Sequence, residues 1–168
     1  LNLNQSINLN TSNQFLGSEI INHKEFVITS SEKFTYVIDS SSGVIMYKKE
    51  FSSKIKPVAF GKYLFLLTKN DFLVCLDLDV GKILYSYDVN DRIAEFLGTK
   101  KKKVKFKNFM IVNSQIFIFL NNSYILKFSI DGKLKKIEKL PTRLLSNPII
   151  LDKSIFYADS NHKLSIVD

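Results

Sequence analysis

Four stretches of fourteen residues superimpose without a gap: FVITSSEKFTYVID (26–39), LFLLTKNDFLVCLD (64–77), IFIFLNNSYILKFS (116–129) and IFYADSNHKLSIVD (155–168). Each is an apolar run rich in β-branched and aromatic residues, then a polar turn, then a second such run, which is the pattern of two strands joined as a hairpin. A supersecondary unit recurring at a fixed period cannot bury its apolar faces alone, so copies must stack on one another. The repeat thus restricts the chain to an array of stacked antiparallel sheets.

The hairpin is the middle of a larger unit. With the closing residue of each stretch as reference (Asp39, Asp77, Ser129, Asp168), the second unit reads as four strands: Pro57–Phe60, Tyr63–Thr68, Phe72–Asp77 and Lys82–Tyr87. Gly43 and Gly81 each lie four residues past the reference Asp, and Tyr47 and Tyr85 each lie four past the Gly. Asp bonds its own backbone and Gly tolerates positive φ, so this spacing predicts a tight turn into the fourth strand. The third unit carries a shorter version, Ile130-Asp131-Gly132. Pro57 and Pro148 both sit eight residues before a Phe, at the start of a first strand, where proline removes no ladder bond. Reference spacings are 38 (39 to 77), 52 (77 to 129) and 39 (129 to 168), so the middle interval holds an insertion between Asp88 and Asn108. Helical periodicity is confined to Val89–Leu97.

Four-stranded antiparallel units at a period near 40 predict an all-β fold, a β-propeller of about four blades. The whole chain, 1–168, is read as one module. Residues 1–12 supply an outer strand (Ile7–Asn10) of a preceding or last blade, and 17–51 and 52–90 are two blades. Residues 91–108 are the insertion, 109–140 a third blade, and 141–168 three strands of the last. This phase predicts either half of a larger ring or four blades closed by the N-terminal strand.

Aromatic volume comes from 14 Phe and 7 Tyr with no Trp, and 45% of the residues are hydrophobic, the composition of a folded domain. Apolar runs such as Ile116–Leu120 are too short to span a bilayer. No signal peptide is visible and the first residue is Leu, so the chain is expected to be a mature or excised piece of a longer protein. A single cysteine, Cys75, excludes an intrachain disulfide; inside the apolar VCLDLD segment it reads as a small core residue.

No catalytic, cofactor-binding or metal-binding residue is expected. Asp39, Asp77 and Asp168 recur at one equivalent position, which reads as turn capping. His23 and His162 are predicted in turns of different blades without metal-ligand spacing, and no glycine-rich phosphate loop is present. Asp39, Gly43, Asp77, Gly81, Asp131 and Gly132 are therefore structural turn residues.

Binding is expected on loops, because strands are committed to packing. The formal charge of +8 favours acidic partners. Within the insertion, DRIAEFLGTKKKKVKFKN, six lysines fall in eight residues: Lys100, Lys101, Lys102, Lys103, Lys105 and Lys107. An extended Val104–Asn108 would place Lys103, Lys105 and Lys107 on one face and Val104 and Phe106 on the other. This segment, Phe106 included, is the candidate for docking a protein partner or an anionic membrane surface. Nucleic acid is disfavoured because no recognised motif accompanies the lysines. Unpaired blade faces further predict self-association into a closed ring.

Pro57, Phe65, Leu76-Asp77, Gly81 and Tyr85, at their spacings, resemble the PQQ-like, quinoprotein-type β-propeller repeat, and the likeness extends from about Glu19 to Asp168. Tyr47 and Tyr85 stand where the repeat usually has Trp, and Lys33, Asp71, Ser123 and His162 where its central turn usually has Gly. Complete members have about seven or eight blades. The resemblance implies a non-catalytic protein-binding scaffold like the BamB-like lipoproteins, periplasmic or associated with the outer membrane, where they take part in assembling β-barrel proteins. Cys75 is internal and is not a lipid-attachment cysteine. The alternatives are a fragment of a quinoprotein dehydrogenase whose cofactor site lies outside this chain, or an interaction propeller of another pathway.

Overall fold

A computed structural model describes residues 19–152 and 154–167, so the expected strand Ile7–Asn10 and the turn position Asp168 lie outside the described residues. The chain divides into two compact units, 1–86 and 87–168, the division falling inside the eighth strand.

The first unit holds two four-stranded antiparallel sheets. One is β1 (Ile21–His23), β2 (Phe26–Ser30), β3 (Thr35–Asp39) and β4 (Ile45–Lys49), in that order; the other is β5 (Val58–Phe60), β6 (Tyr63–Leu67), β7 (Phe72–Asp77) and β8 (Ile83–Asp88). Both meander, each strand pairing with its sequence neighbour, as tight turns of Gly, Asp and Ser permit. A common apolar cluster contains Phe26, Ile28 and Val37 of the first sheet with Leu64, Leu66, Val74 and Leu76 of the second. Each side chain fully removed from water there contributes about 1.5–3 kcal/mol.

The second unit begins with α1 (Val89–Leu97), where helical periodicity is read in the sequence. A third four-stranded sheet follows: β9 (Phe106–Val112), β10 (Gln115–Leu120), β11 (Tyr124–Ser129) and β12 (Leu134–Lys139). A three-stranded sheet closes the unit with β13 (Ile149–Leu151), β14 (Ser154–Ala158) and β15 (Leu164–Val167). Phe117, Phe119 and Ile125 pack with Leu140, Leu144, Ile155 and Tyr157 in one core. β9 starts at Phe106, so the last three residues of the insertion are strand.

Equivalent positions share local geometry. The ladder between third and fourth strands shifts register at Val37/Ile38 and again at Lys127/Phe128, the same place in the repeat. Of the four central-turn positions, Asp71, Ser123 and His162 adopt left-handed backbone with φ of 68, 67 and 59°, which explains why glycine suits that position. Lys33 does not, because the first hairpin is one residue out of register with the other three.

Candidate functional site

The insertion is anchored at both ends. Asp88 caps α1, its Oδ1 accepting from Asn90 N at 2.8 Å and Asp91 N at 3.2 Å, and Gly98 ends the helix in left-handed conformation. Lys101 Nζ reaches back to Asp88 Oδ2 at 2.6 Å and Asp91 Oδ1 at 3.0 Å. The Asp88 carboxyl is partly desolvated, which opposes ionisation, but the Lys101 ammonium and the two helix N–H groups outweigh that and hold its pKa below the usual value. Val104 N donates to the Oδ1 of buried Asn90 at 3.0 Å, and Lys105 O accepts from Asn121 N at 2.9 Å. These contacts fix the course of residues 99–105.

The six lysines consequently have different surroundings. Lys100, Lys101, Lys102, Lys103 and Lys105 are exposed, and Lys101 holds two carboxylates. Lys107 is half-buried and donates to the carbonyl oxygens of Leu144 and Leu145, the latter at 2.9 Å. Burial, together with the nearby Arg143 charge, pushes its pKa down. Phe106 is buried opposite Leu120. Sequence reasoning takes all seven residues as one docking segment, with Lys107 on the face opposite Phe106; the fold leaves Lys100, Lys102, Lys103 and Lys105 exposed, half-buries Lys107 and buries Phe106. Beside them at the end of α1, Phe96 and Leu97 are 48% and 53% exposed, a feature the lysine count does not reveal.

The turn residues act locally. Asp39 Oδ1 accepts from Ser41 N and Oγ at 3.1 and 2.6 Å and from Ser42 N and Oγ at 2.7 Å each, and the Ser41 hydroxyl leads the set that lowers its pKa to about 2. Asp77 Oδ1 accepts from Asp79 N at 3.0 Å, and its Oδ2 lies 3.1 Å from Lys62 Nζ, the main cause of its lowered pKa. Gly43 N and Gly81 N each donate at 2.9 Å to the carbonyl of the Asp that opens the turn. Asp131 accepts from Ser129 Oγ, and Gly132 N bonds Ser129 O at 2.9 Å. His23 ends β1 instead of lying in a turn, with Nε2 2.8 Å from Gly61 O; that contact spans 38 residues and has no sequence signal. Among the described residues no cluster of His, Cys, Asp and Glu could hold a metal ion.

Two further features lie on the surface. A cleft of about 470 Å³ in the first unit is lined by Glu32, Lys33, Phe34, Glu50 and Lys69, a mixed-charge wall. In the last sheet, Ile149, Leu151, Leu164 and Ile166 are 66%, 62%, 70% and 55% exposed. The register pairs Ile149 with Phe156, Phe156 with Ile166, and Ala158 with Leu164, so these side chains share one face of the sheet.

No protein family matches the sequence, and comparison with curated proteins finds no match. Solved structures do resemble it. BamB from Moraxella catarrhalis matches with a TM-score of 0.69 and 11% identity over 89% of this chain and 42% of that one. The computationally designed Ika4 protein matches at 0.64 and 9% identity, over 89% of this chain and 88% of the designed one. A quinohemoprotein alcohol dehydrogenase from Pseudomonas putida HK5 matches at 0.56 and 12% identity, over 76% of this chain and 22% of the enzyme. Sheet order and these likenesses together define a β-propeller fold of four-stranded antiparallel blades. The chain spans about two fifths of the length of BamB.

Proposed function

We propose that this chain is a non-catalytic protein-binding scaffold, serving in the manner of a BamB-like subunit of outer-membrane β-barrel assembly, at the periplasmic side of that membrane. The observation that carries the reading is the last sheet. Among the described residues it has three strands where the other three sheets have four, and one face carries four large aliphatic side chains more than half exposed. Contiguous apolar surface of this kind marks protein contact. The likeness to BamB supports the choice of a scaffold.

A photocrosslinker at position 166, introduced in the source cell, tests this directly. Crosslinks to a component of the β-barrel assembly machinery are expected, and crosslinks confined to unrelated proteins would refute the assignment. Titration with PQQ and Ca²⁺ gives the opposing readout. Saturable binding with a shifted quinone absorbance would instead identify a quinoprotein fragment.

A further inference from the structure

We propose that the end of α1 and the lysine run after it form a docking site for an anionic lipid surface. Between Asp88 and Lys107 the chain carries six Lys and one Arg against three carboxylates. The carboxylates are engaged locally: Asp88 and Asp91 both hold Lys101, and Glu95 holds Arg92 at 2.8 Å. Lys100, Lys102 and Lys105 therefore present their charge to solvent on a segment whose backbone is pinned. Directly before them, Phe96 and Leu97 stand about half exposed at the helix end. An exposed aromatic and an exposed leucine, followed within a few residues by the exposed Lys100, Lys102 and Lys105, match both parts of a bilayer interface. The apolar pair can enter the acyl boundary while the ammonium groups meet anionic head groups.

The side-chain types argue for lipid over the other polyanions. Lysine is a hydrated point charge without the planar fork that arginine uses for bidentate phosphate or carboxylate recognition, so a run of lysines suits a diffuse negative surface. Single-stranded nucleic acid needs aromatic faces for base stacking, and Phe106, the aromatic within the run, is only 7% exposed. An acidic protein face would use the same lysines, and the vesicle test below separates the two. This site is separate from the last-sheet face and stands or falls independently of the scaffold reading.

The test uses the full chain with vesicles of phosphatidylcholine, alone or doped with phosphatidylglycerol. Co-sedimentation is expected with the doped vesicles only. Each exposed lysine changed to Gln should weaken binding about fivefold, in a salt-sensitive manner. Phe96→Ser with Leu97→Ser should weaken it about tenfold or more with little salt dependence. The unfolding midpoint of each variant establishes that the fold is intact. Because the chain has no Trp, Leu97→Trp adds a single indole whose emission should shift to the blue on doped vesicles and be quenched by brominated acyl chains. Equal binding to both vesicle types, or none, would overturn the proposal. So would doped-vesicle binding that ignores the Phe96/Leu97 pair, since the end of α1 is then no part of the site.

Discussion

Gly43 and Gly81 occupy the same turn position in successive repeats with nearly the same backbone, φ +70 and +66°, so an alanine at either carries the same left-handed penalty of about 1–2 kcal/mol. Their surroundings differ. A Cβ at Gly43 meets nothing within 4 Å, whereas one at Gly81 lies 3.2–3.3 Å from three atoms of the Tyr47 ring. That ring cannot slide away at no cost. Its hydroxyl donates to Leu78 O at 2.7 Å, a bond of net value about 1 kcal/mol, and its body packs on the core of the first unit. Gly43→Ala should therefore cost about 1–2 kcal/mol and Gly81→Ala about 2–4 kcal/mol. At about 2–4 °C per kcal/mol for a chain of this size, the second variant should unfold at clearly lower temperature than the first. In a Tyr47→Leu background the excess at Gly81 should vanish, leaving a coupling of about 1–2 kcal/mol between the two sites. Thermal and urea unfolding of the four variants measures it. Equal costs at both glycines, or no coupling to Tyr47, would refute the idea that this glycine is required by a packed ring and not by the turn alone.

Other expectations follow from titrating groups and from burial. The Asp39 carboxyl sits near 2 when folded against 3.8 otherwise, so its contribution to stability is complete above 3.8 and is lost as pH falls to about 2. Asp39→Ala should flatten acid unfolding in that window, which unfolding midpoints against pH will display. Burial, aided by Asp77 and Asp79, raises the Tyr47 phenol from 10.0 to about 12. The neutral phenol is held by the fold, so stability declines as pH rises from 10 toward 12, and Tyr47→Phe should remove that part of the alkaline loss; absorbance titration of the phenolates gives the comparison. Burial also raises the Cys75 thiol to about 11. Native protein at neutral pH should leave a thiol reagent unconsumed, with full reaction only after unfolding; rapid native labelling would contradict this placement.

Features set by neighbours in sequence were legible. The second repeat reads as strands at Tyr63–Thr68 and Phe72–Asp77, and the chain folds them at Tyr63–Leu67 and Phe72–Asp77, because alternation, turn residues and β-branching all act within a few positions. Helical periodicity at Val89–Leu97 coincides with α1 for the same reason. The candidate surface was legible only as a count of lysines. Lys107 finds its carbonyl partners 37 and 38 residues away, Val104 finds Asn90 across 14, and the Tyr47 hydroxyl finds Leu78 across 31. Such pairings depend on where packed sheets bring the backbone, which no local pattern encodes.

The first hairpin shows why even a gap-free repeat does not fix geometry. Aligned residues would pair Phe26 with Ile38, as Leu64 pairs with Leu76, yet Phe26 pairs with Asp39. In the second repeat Thr68 N bonds Phe72 O, closing a three-residue loop whose last member, Asp71, is left-handed, a conformation that Asp tolerates. In the first repeat Ser31 N bonds Phe34 O instead, closing a two-residue loop in which neither Glu32 nor Lys33 is left-handed. A slip of one residue exchanges strand faces, so Val37 faces inward with Ile28 where the aligned residue, Tyr36, would stand. The fold absorbs this because both are apolar and both are buried. The slip also brings Ser30 Oγ to 2.9 Å from Thr35 Oγ1, which donates onward to Phe51 O at 2.8 Å, satisfying two buried hydroxyls. A loop shorter by one residue, together with a strand buried on both faces, is sufficient to give the first hairpin its own register within an otherwise regular array.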